Sequence, residues 1–392
     1  MFEEEKKLKI AMIGTKGIPA KWGGIETYIE EIGKRLVLRG HNVTVFGSNW
    51  YLKEFKDDTY CGIRIRRVPA LHYQATDALT NAFFSTLLIA VSDYDVVNLH
   101  GYASYYFVPL LKMFGKKCVI TTHGVESGWD NPKYGKFARN VVKRAYMTGL
   151  MKADAVTTVA KHLSAKIYQM TNISAEVMPS GLDEVSNKTA QIIKDKYGLK
   201  GLDYVLFLGR IDPIKRVDWL LNLTDIIEPK IKIVIAGGSQ DASTDAYYQS
   251  MIKSALGNSQ IIFTGPVIGD EKAELLSNCL CLLAPSKFEG LPITVLEAAA
   301  YARCCLASDI PAHKEIIEDG VNGFLFQSDD KEQFVNSVKK IISSKVEFLL
   351  IMGDKARKMG MNKYNWDKTT EQFDHLYYHH IYGKDKKKKN QK

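Results

Sequence analysis

Apolar runs of strand length alternate with helical patterns along the whole chain, and this alternation restricts the fold more than any other feature. The runs fall at 8–14, 42–47, 95–99, 117–122 and 154–159, then at 203–209, 231–237, 260–264, 279–284 and 304–308. Strands separated by helices form parallel sheets, because each connection must cross back over the sheet, and the crossing helices bury both faces. A polar, turn-rich stretch, MPSGLDEVSNKTA at 178–190, separates the two groups. At 392 residues the chain is long enough for two separate cores. The expected class is α/β, with two Rossmann-like domains at 1–185 and 186–365. A terminal amphipathic helix is expected over 366–382, pinned to a domain surface by Trp366, Phe373 and Tyr377, followed by a basic disordered tail at 383–392.

The segment FEGLPITVLEAAA, 288–300, holds the densest chemical signal. Glu289 and Glu297 bracket a turn, Gly290-Leu291-Pro292, that opens onto an apolar helical run. The first turn of a helix presents unpaired N–H groups and the positive end of the helix dipole, a ready seat for phosphate. Pro292 suits the first helical turn, where its missing N–H costs nothing. Carboxylates on either side accept hydrogen bonds from sugar hydroxyls, so the segment fits a sugar joined to a nucleoside diphosphate. An ordinary helix start beside a solvated acid has the same pattern, and other segments must decide between them.

Three segments do so. Gly209 and Arg210 follow an apolar strand, with Lys215 shortly after; an arginine fork and a lysine point charge together neutralise a diphosphate. The loop from Gly14 to Gly24 carries Gly17, Gly23 and Gly24 between a strand and a helix that includes Glu26 and Thr27. Its glycines let the backbone approach a diphosphate near Gly23 and Gly24. A nicotinamide or flavin fingerprint is absent, since G-x-G-x-x-G is missing and the second strand ends Val45-Phe46-Gly47 without an acid for ribose. His123 ends one strand-like run and His100 the preceding one, and carboxyl ends of parallel strands are where ligand sites gather. A satisfied strand-terminal histidine is the plain alternative. Two histidines without a third ligand make no metal site.

The glutamate pair, with seven residues between, resembles the signature of family-4 retaining glycosyltransferases of the GT-B fold. The string GTKGIPAKWGGIE, together with ITTHGVE and LFLGRIDPIKRVDWLL, extends the resemblance over nearly the whole chain, nearest to the branch of bacterial capsule and O-antigen rhamnosyltransferases. That resemblance implies parallel sheets facing across a cleft and a C-terminal helix crossing back to the first domain. It implies a hexosyl donor held mainly by the second domain, a saccharide or lipid-linked saccharide acceptor held by the first, and retention of configuration. It places His123 beside the donor sugar, Glu289 on that sugar, Glu297 on the ribose, and the loop around Val267 against the base. Arg210, Lys215 and the amides at Gly290-Leu291 would stabilise the leaving diphosphate, so neither cofactor nor metal is expected. Two rivals remain at this point: a glycoside hydrolase using Glu289 and Glu297 as its carboxyl pair, and a non-catalytic nucleotide-sugar-binding subunit.

Composition narrows the setting. The apolar fraction of 46% and charged fraction of 25% are those of a globular protein. The longest apolar candidate for a membrane span, Ala78–Val91, falls short of the roughly 20 residues needed and contains polar side chains. MFEEEKK carries no apolar signal-peptide core, so a cytoplasmic protein is expected. The six cysteines have neither zinc nor redox spacing and read as buried thiols. The formal charge of +9 is concentrated in the tail KDKKKKNQK and in an acid-free segment, 133–152, with Lys133, Lys136, Arg139, Lys143, Arg144 and Lys152. For the tail, solvated disorder is the default reading and attraction to anionic lipid the alternative, whereas for 133–152 membrane docking and a solvated helix face fit equally; no nucleic-acid partner is expected.

Overall fold

The computed structural model describes residues 7–21, 23–71, 74–124, 136–239 and 242–378, with backbone alone at 74–75, 136–138 and 242–243. The chain divides into two compact units, Met1–Ser180 with Trp366–Lys392, and Gly181–Asn365.

The first unit contains β1 (Lys9–Ile13), β2 (Asn42–Ser48), β3 (Thr59–Tyr60), β4 (Ile63–Val68), β5 (Val96–Leu99), β6 (Lys117–Thr122), β7 (Ala155–Thr158) and β8 (Glu176–Val177). They form one sheet in the order β3-β4-β2-β1-β5-β6-β7-β8, parallel except where β3 pairs with β4. The helices between them are α1 (Gly24–Leu38), α2 (Gln74–Ala90), α3 (Tyr102–Tyr105), α4 (Val108–Met113), α5 (Lys136–Lys152) and α6 (Lys161–Thr171). Ile10, Ala11, Met12 and Ile13 of the central strand are all fully buried. Both faces of that strand are covered, which is why it reads as an unbroken apolar run.

The second unit has a six-stranded parallel sheet. Its strands are β9 (Tyr204–Leu208), β10 (Lys232–Ala236), β11 (Ile261–Gly265), β12 (Cys281–Ala284), β13 (Cys305–Ser308) and β14 (Phe324–Phe326), in the order β11-β10-β9-β12-β13-β14. Helices α7 (Ile192–Tyr197), α8 (Asp218–Leu221), α9 (Ala242–Ser254), α10 (Gly269–Asn278), α11 (Ile293–Ala300), α12 (Pro311–Lys314), α13 (Lys331–Ile342) and α14 (Val346–Lys363) connect and follow them. Successive strand residues feed opposite cores: Val205, Phe207, Ile233 and Ile235 pack on one face, and Tyr204, Leu206, Val234 and Ala236 on the other. The chain enters and leaves this unit side by side, where the Leu182 amide donates to the Tyr364 carbonyl at 3.1 Å.

The last helix, α15 (Trp366–His375), belongs to the first unit and packs on α1. Trp366, Phe373 and Tyr377 are all buried there; of the helix expected over 366–382, α15 ends at His375 and residues 379–382 lie outside the described residues. The α/β class with two parallel sheets also holds. What the search for apolar runs passed over is β4, where Ile63, Ile65 and Val68 are buried while Arg64 and Arg66 are exposed. Near an edge a strand alternates instead of running apolar, and β3 and β14 are too short to register. Five cysteines are buried and Cys61 is exposed; all six are free thiols.

Candidate functional site

In the second unit the carboxyl ends of the strands are knitted together by main-chain hydrogen bonds. Gly209 N donates to Ala236 O at 3.0 Å, Ile211 N to Gly238 O at 3.0 Å, and Gly237 N to Gly265 O at 2.9 Å. A Cβ on Gly237 would sit 1.7 Å from the Gly209 carbonyl oxygen, so only glycine permits this approach. From this base the chain makes a short 3-10 turn, Pro213–Lys215. Asp212 caps the turn, accepting from Ile214 N at 3.0 Å and Lys215 N at 3.2 Å. Arg210 lies 3.4 Å from the other Asp212 oxygen, with its side chain 44% exposed. Asp212 therefore fixes the backbone at Lys215 and pairs with the side chain of Arg210.

The loop after β12 comes to meet that turn, and Lys287 N donates to Ile214 O at 2.8 Å. Lys215 Nζ reaches Glu289 Oε1, which also accepts from Ser286 Oγ at 2.7 Å. Pro292 precedes the first residue of α11 as its cap, one position earlier than the sequence places it. Its carbonyl accepts from Val295 N at 3.1 Å. The amides of Ile293 and Thr294 thus open the helix with no acceptor inside it. Further along, Glu297 Oε1 pairs with Lys272 Nζ of α10 at 2.6 Å. Its Oε2 is buried with no partner among the described residues. A buried carboxylate oxygen left without a donor is costly, and a ligand hydroxyl would satisfy it. Val267 sends its side chain into the core, so any contact with a base falls to its main chain.

In the first unit the glycine loop is held by side chains, which narrows what it can offer a ligand. The buried Glu26 accepts from Thr15 Oγ1 at 3.1 Å and Lys16 N at 3.2 Å. Ala20 N goes to Glu30 at 2.8 Å and Lys21 N to the Tyr51 hydroxyl at 2.8 Å. At the start of α1, Gly23 caps the helix with no side-chain hydrogen bond. Gly14 joins this loop to the strand end that bears His100: a Cβ there would lie 2.3 Å from Gly101 N. His100 Nδ1 is 3.1 Å from His123 Nε2, and the ring of Tyr28 stands edge-on to His123 at 4.9 Å. The structure thus brings Gly23, Gly24, His100 and His123 to one edge of a sheet, and Arg210, Lys215, Glu289, Gly290, Leu291, Pro292 and Glu297 to one edge of the other.

Electrostatics distinguish these groups. Burial pushes the Glu289 carboxyl up, but the Lys215 ammonium, His313 and the Ser286 hydroxyl outweigh it and hold it below the usual range. A carboxyl held low is poorly suited to protonating a leaving group, which argues against a hydrolase acid at this position. Beneath Glu289, Ser308 Oγ donates to Ser286 O at 2.5 Å and His313 Nδ1 lies 2.8 Å from Ser308 O. Burial pushes His313 down to about 4, against the pull of Glu289, and pushes His123 down to about 3. His100 is lowered by burial and then by His123.

These imidazoles are neutral in the folded protein at pH 7. The unfolded chain, with histidine pKa near 6.5, binds more protons than the native state once the pH drops below that value. Stability should therefore be complete above about pH 6.5 and fall as the pH descends toward the folded values. Melting temperatures measured from pH 8 to pH 5 should decline on the acid side, with a shallower slope for His313→Asn; an identical slope in that variant would show that His313 is not a buried neutral group.

Ser286, Asp212, Lys272, Tyr28 and His313 escaped the sequence reading. Lys272 and Tyr28 meet partners far away in the chain, Glu297 and His123, while Asp212, Ser286 and His313 bond close neighbours in turns that no periodic pattern marks. Lys133 and the tail at 383–392, and the side chain of Lys136, lie outside the described residues.

Comparison with known proteins agrees with this division. Residues 22–186 match the family model described as Glycosyltransferase Family 4, and residues 190–366 the model described as Glycosyl transferases group 1. A GDP-mannose-dependent alpha-(1-6)-phosphatidylinositol monomannoside mannosyltransferase of Mycobacterium tuberculosis is 24% identical, over 91% of this chain and 94% of its own. Sucrose-phosphate synthase of Thermosynechococcus elongatus superposes with a TM-score of 0.80 at 18% identity, covering 95% of this chain and 99% of its own. Anabaena HepE, solved with UDP-glucose, gives 0.75 at 15% identity, over 94% and 99%.

Proposed function

We propose that this chain, which belongs to the family-4 glycosyltransferases of GT-B fold, moves a hexosyl residue, with rhamnose the first candidate, from a nucleoside diphosphate to a saccharide or lipid-linked saccharide in cell-surface glycan synthesis. The observation that carries the reading is the pair of lysine-bound glutamates around the start of α11: Glu289 tied to Lys215, and Glu297 with one buried oxygen unpartnered. The Glu297 oxygen accepts from a ribose hydroxyl, and Glu289 orients the donor sugar. Arg210, Lys215 and the N–H groups of Gly290, Leu291, Ile293 and Thr294 face the diphosphate and stabilise charge as it leaves, an effect that needs no reorganisation during reaction. This array supplies the positive charge that a metal ion provides elsewhere. In the first unit, Gly23 and Gly24 are the residues assigned to phosphate, and His123, a neutral imidazole, is assigned to a hydroxyl of the donor sugar.

The bond from the anomeric carbon to the diphosphate oxygen breaks as the acceptor oxygen bonds to that carbon on the same face. The acceptor proton passes to the departing phosphate oxygen, so configuration is retained. The acceptor sits on the first unit, and the basic residues of α5 with the lysine tail draw the enzyme to the cytoplasmic face of an anionic membrane. The name of the mycobacterial relative, which specifies a phosphatidylinositol mannoside, supports a lipid-linked acceptor.

Thermal shift against a panel of nucleotide sugars, followed by turnover with the best of them, tests the reading. A donor present at 100 times its dissociation constant should add about 2.7 kcal/mol of stability. No shift with any nucleoside diphosphate or its sugars would overturn it.

A further inference from the structure

Helix α2 (Gln74–Ala90) buries polar and apolar residues together: Asp77, Asn81, Ser85 and Thr86 lie inward with Ala82, Ile89 and Ala90. Asp77 Oδ1 accepts from Ser48 Oγ at 3.0 Å and Trp50 Nε1 at 2.8 Å, and Asn81 Nδ2 donates to Ser48 Oγ at 2.9 Å. Its outward face is apolar. Leu79, Phe83, Phe84 and Leu87 are between 36% and 47% exposed. Residues 79, 83 and 87 follow one another at helical spacing, so they form a stripe. Phe83 and Phe84 contact each other at 5.3 Å between ring centres, and Phe83 lies 6.0 Å from Phe107, which neighbours the 56%-exposed Tyr106. The water-facing side of a surface helix is ordinarily polar, and a contiguous exposed apolar patch of this kind marks a contact surface. This is the stretch, Ala78–Val91, that is apolar yet too short to span a bilayer.

The neighbouring helices identify what lies opposite. α2 packs on α3 and α4, and α4 packs on α5. From Tyr102 to Lys117 and from Lys136 to Lys152 the sequence contains no acid, and the single acid of α2 is the buried Asp77. Lys143, Arg144 and Lys152 of α5 are exposed, with Val141 and Met151 exposed beside them. An apolar stripe flanked by lysine and arginine, with no exposed carboxylate on α2 to α5 among the described residues, complements an anionic lipid surface. A second copy of the chain fits poorly, because a two-fold interface would set these basic residues against themselves.

We propose that the outward face of α2 is the surface by which the enzyme enters the interfacial layer of an anionic membrane, with Phe83, Phe84 and Leu87 seated among the lipids and α5 supplying charge at the rim. This deepens the membrane-facing part of the proposed function and rests on it. The attraction of α5 acts at a distance and fades with salt, whereas the α2 stripe holds by apolar burial and persists.

Flotation with vesicles of phosphatidylcholine alone, and of phosphatidylcholine with phosphatidylglycerol, tests the inference on the full chain. Wild type should bind the anionic vesicles, and Phe83→Ser/Phe84→Ser should bind them at least about tenfold less tightly. Lys143→Gln/Arg144→Gln should weaken binding mainly at low salt. A Phe84→Trp variant that keeps the wild-type melting transition should show emission blue-shifted on anionic vesicles beyond any change in wild type. The serine variant should keep its thermal shift with nucleoside diphosphate, since neither Phe83 nor Phe84 is among the residues assigned to that ligand. Undiminished vesicle binding by the serine variant, or an unshifted Phe84→Trp spectrum, would overturn the role of α2 while leaving the membrane reading intact. A wild type that binds no vesicle would overturn both. A wild-type dimer converted to monomer by the serine changes would assign the face to a second copy instead.

Discussion

Replacing Lys215 by methionine should lower kcat/KM by about 10²–10³, equivalent to about 2.7–4 kcal/mol of transition-state stabilisation, the loss seen when one preorganised donor to developing negative charge is removed. The structure adds a second consequence. Lys215 is the strongest influence opposing the burial of Glu289. With the ammonium gone, burial is left largely unopposed and the Glu289 pKa should rise. The acid limb of the pH–rate profile should then move to higher pH in the variant. In the wild type the folded pKa lies below the unfolded value, so the pair stabilises the fold above about pH 4.3, and that contribution is lost as the pH falls through the folded value. Arg210→Ala should slow transfer as well, but with less disturbance of Glu289, because Arg210 contacts Asp212 and its side chain is more exposed. Steady-state kinetics from pH 5 to pH 9 checks both variants. Wild-type kcat/KM in Lys215→Met would remove this residue from the machinery.

Glu297→Gln should act on donor affinity, and Glu289→Gln on turnover. Glu297 already gives one oxygen to Lys272, and its buried Oε2 is the one a ribose hydroxyl would satisfy. A hydrogen bond to a charged group contributes about 1.5–3 kcal/mol. Glu297→Gln should therefore weaken binding of the free nucleoside diphosphate by about 10- to 100-fold, with kcat little changed. Glu289→Gln removes the charge that Lys215 and Ser286 brace, so the donor sugar loses its orientation while the nucleotide still binds. Calorimetric titration with nucleoside diphosphate, set beside kcat, separates the two. If Glu289→Gln lost nucleotide affinity and Glu297→Gln kept it, the roles would be exchanged.

The sequence by itself determined the α/β class, the doubly covered central strands and the terminal helix, because each is written in local periodicity. A strand buried on both faces must be apolar throughout, as Ile10 to Ile13 are, and a docking helix must repeat its apolar residues at helical spacing, as Trp366, Phe373 and Tyr377 do. The motif residues on strand ends and at the start of α11 were legible for the same reason: glycine, proline and charge recur there at fixed local offsets. Only the tertiary structure decided how those residues are held. Glu289 is braced by Lys215, 74 positions away, and Glu297 by Lys272, 25 positions away. Asp77 and Asn81 turn inward toward Ser48 and Trp50, leaving Phe83 and Phe84 outside. Apolar residues lie on both sides of α2, so helical periodicity does not single out its buried side. Which side faces the sheet depends on partners that β2 and its following loop supply, and no window of local sequence contains them.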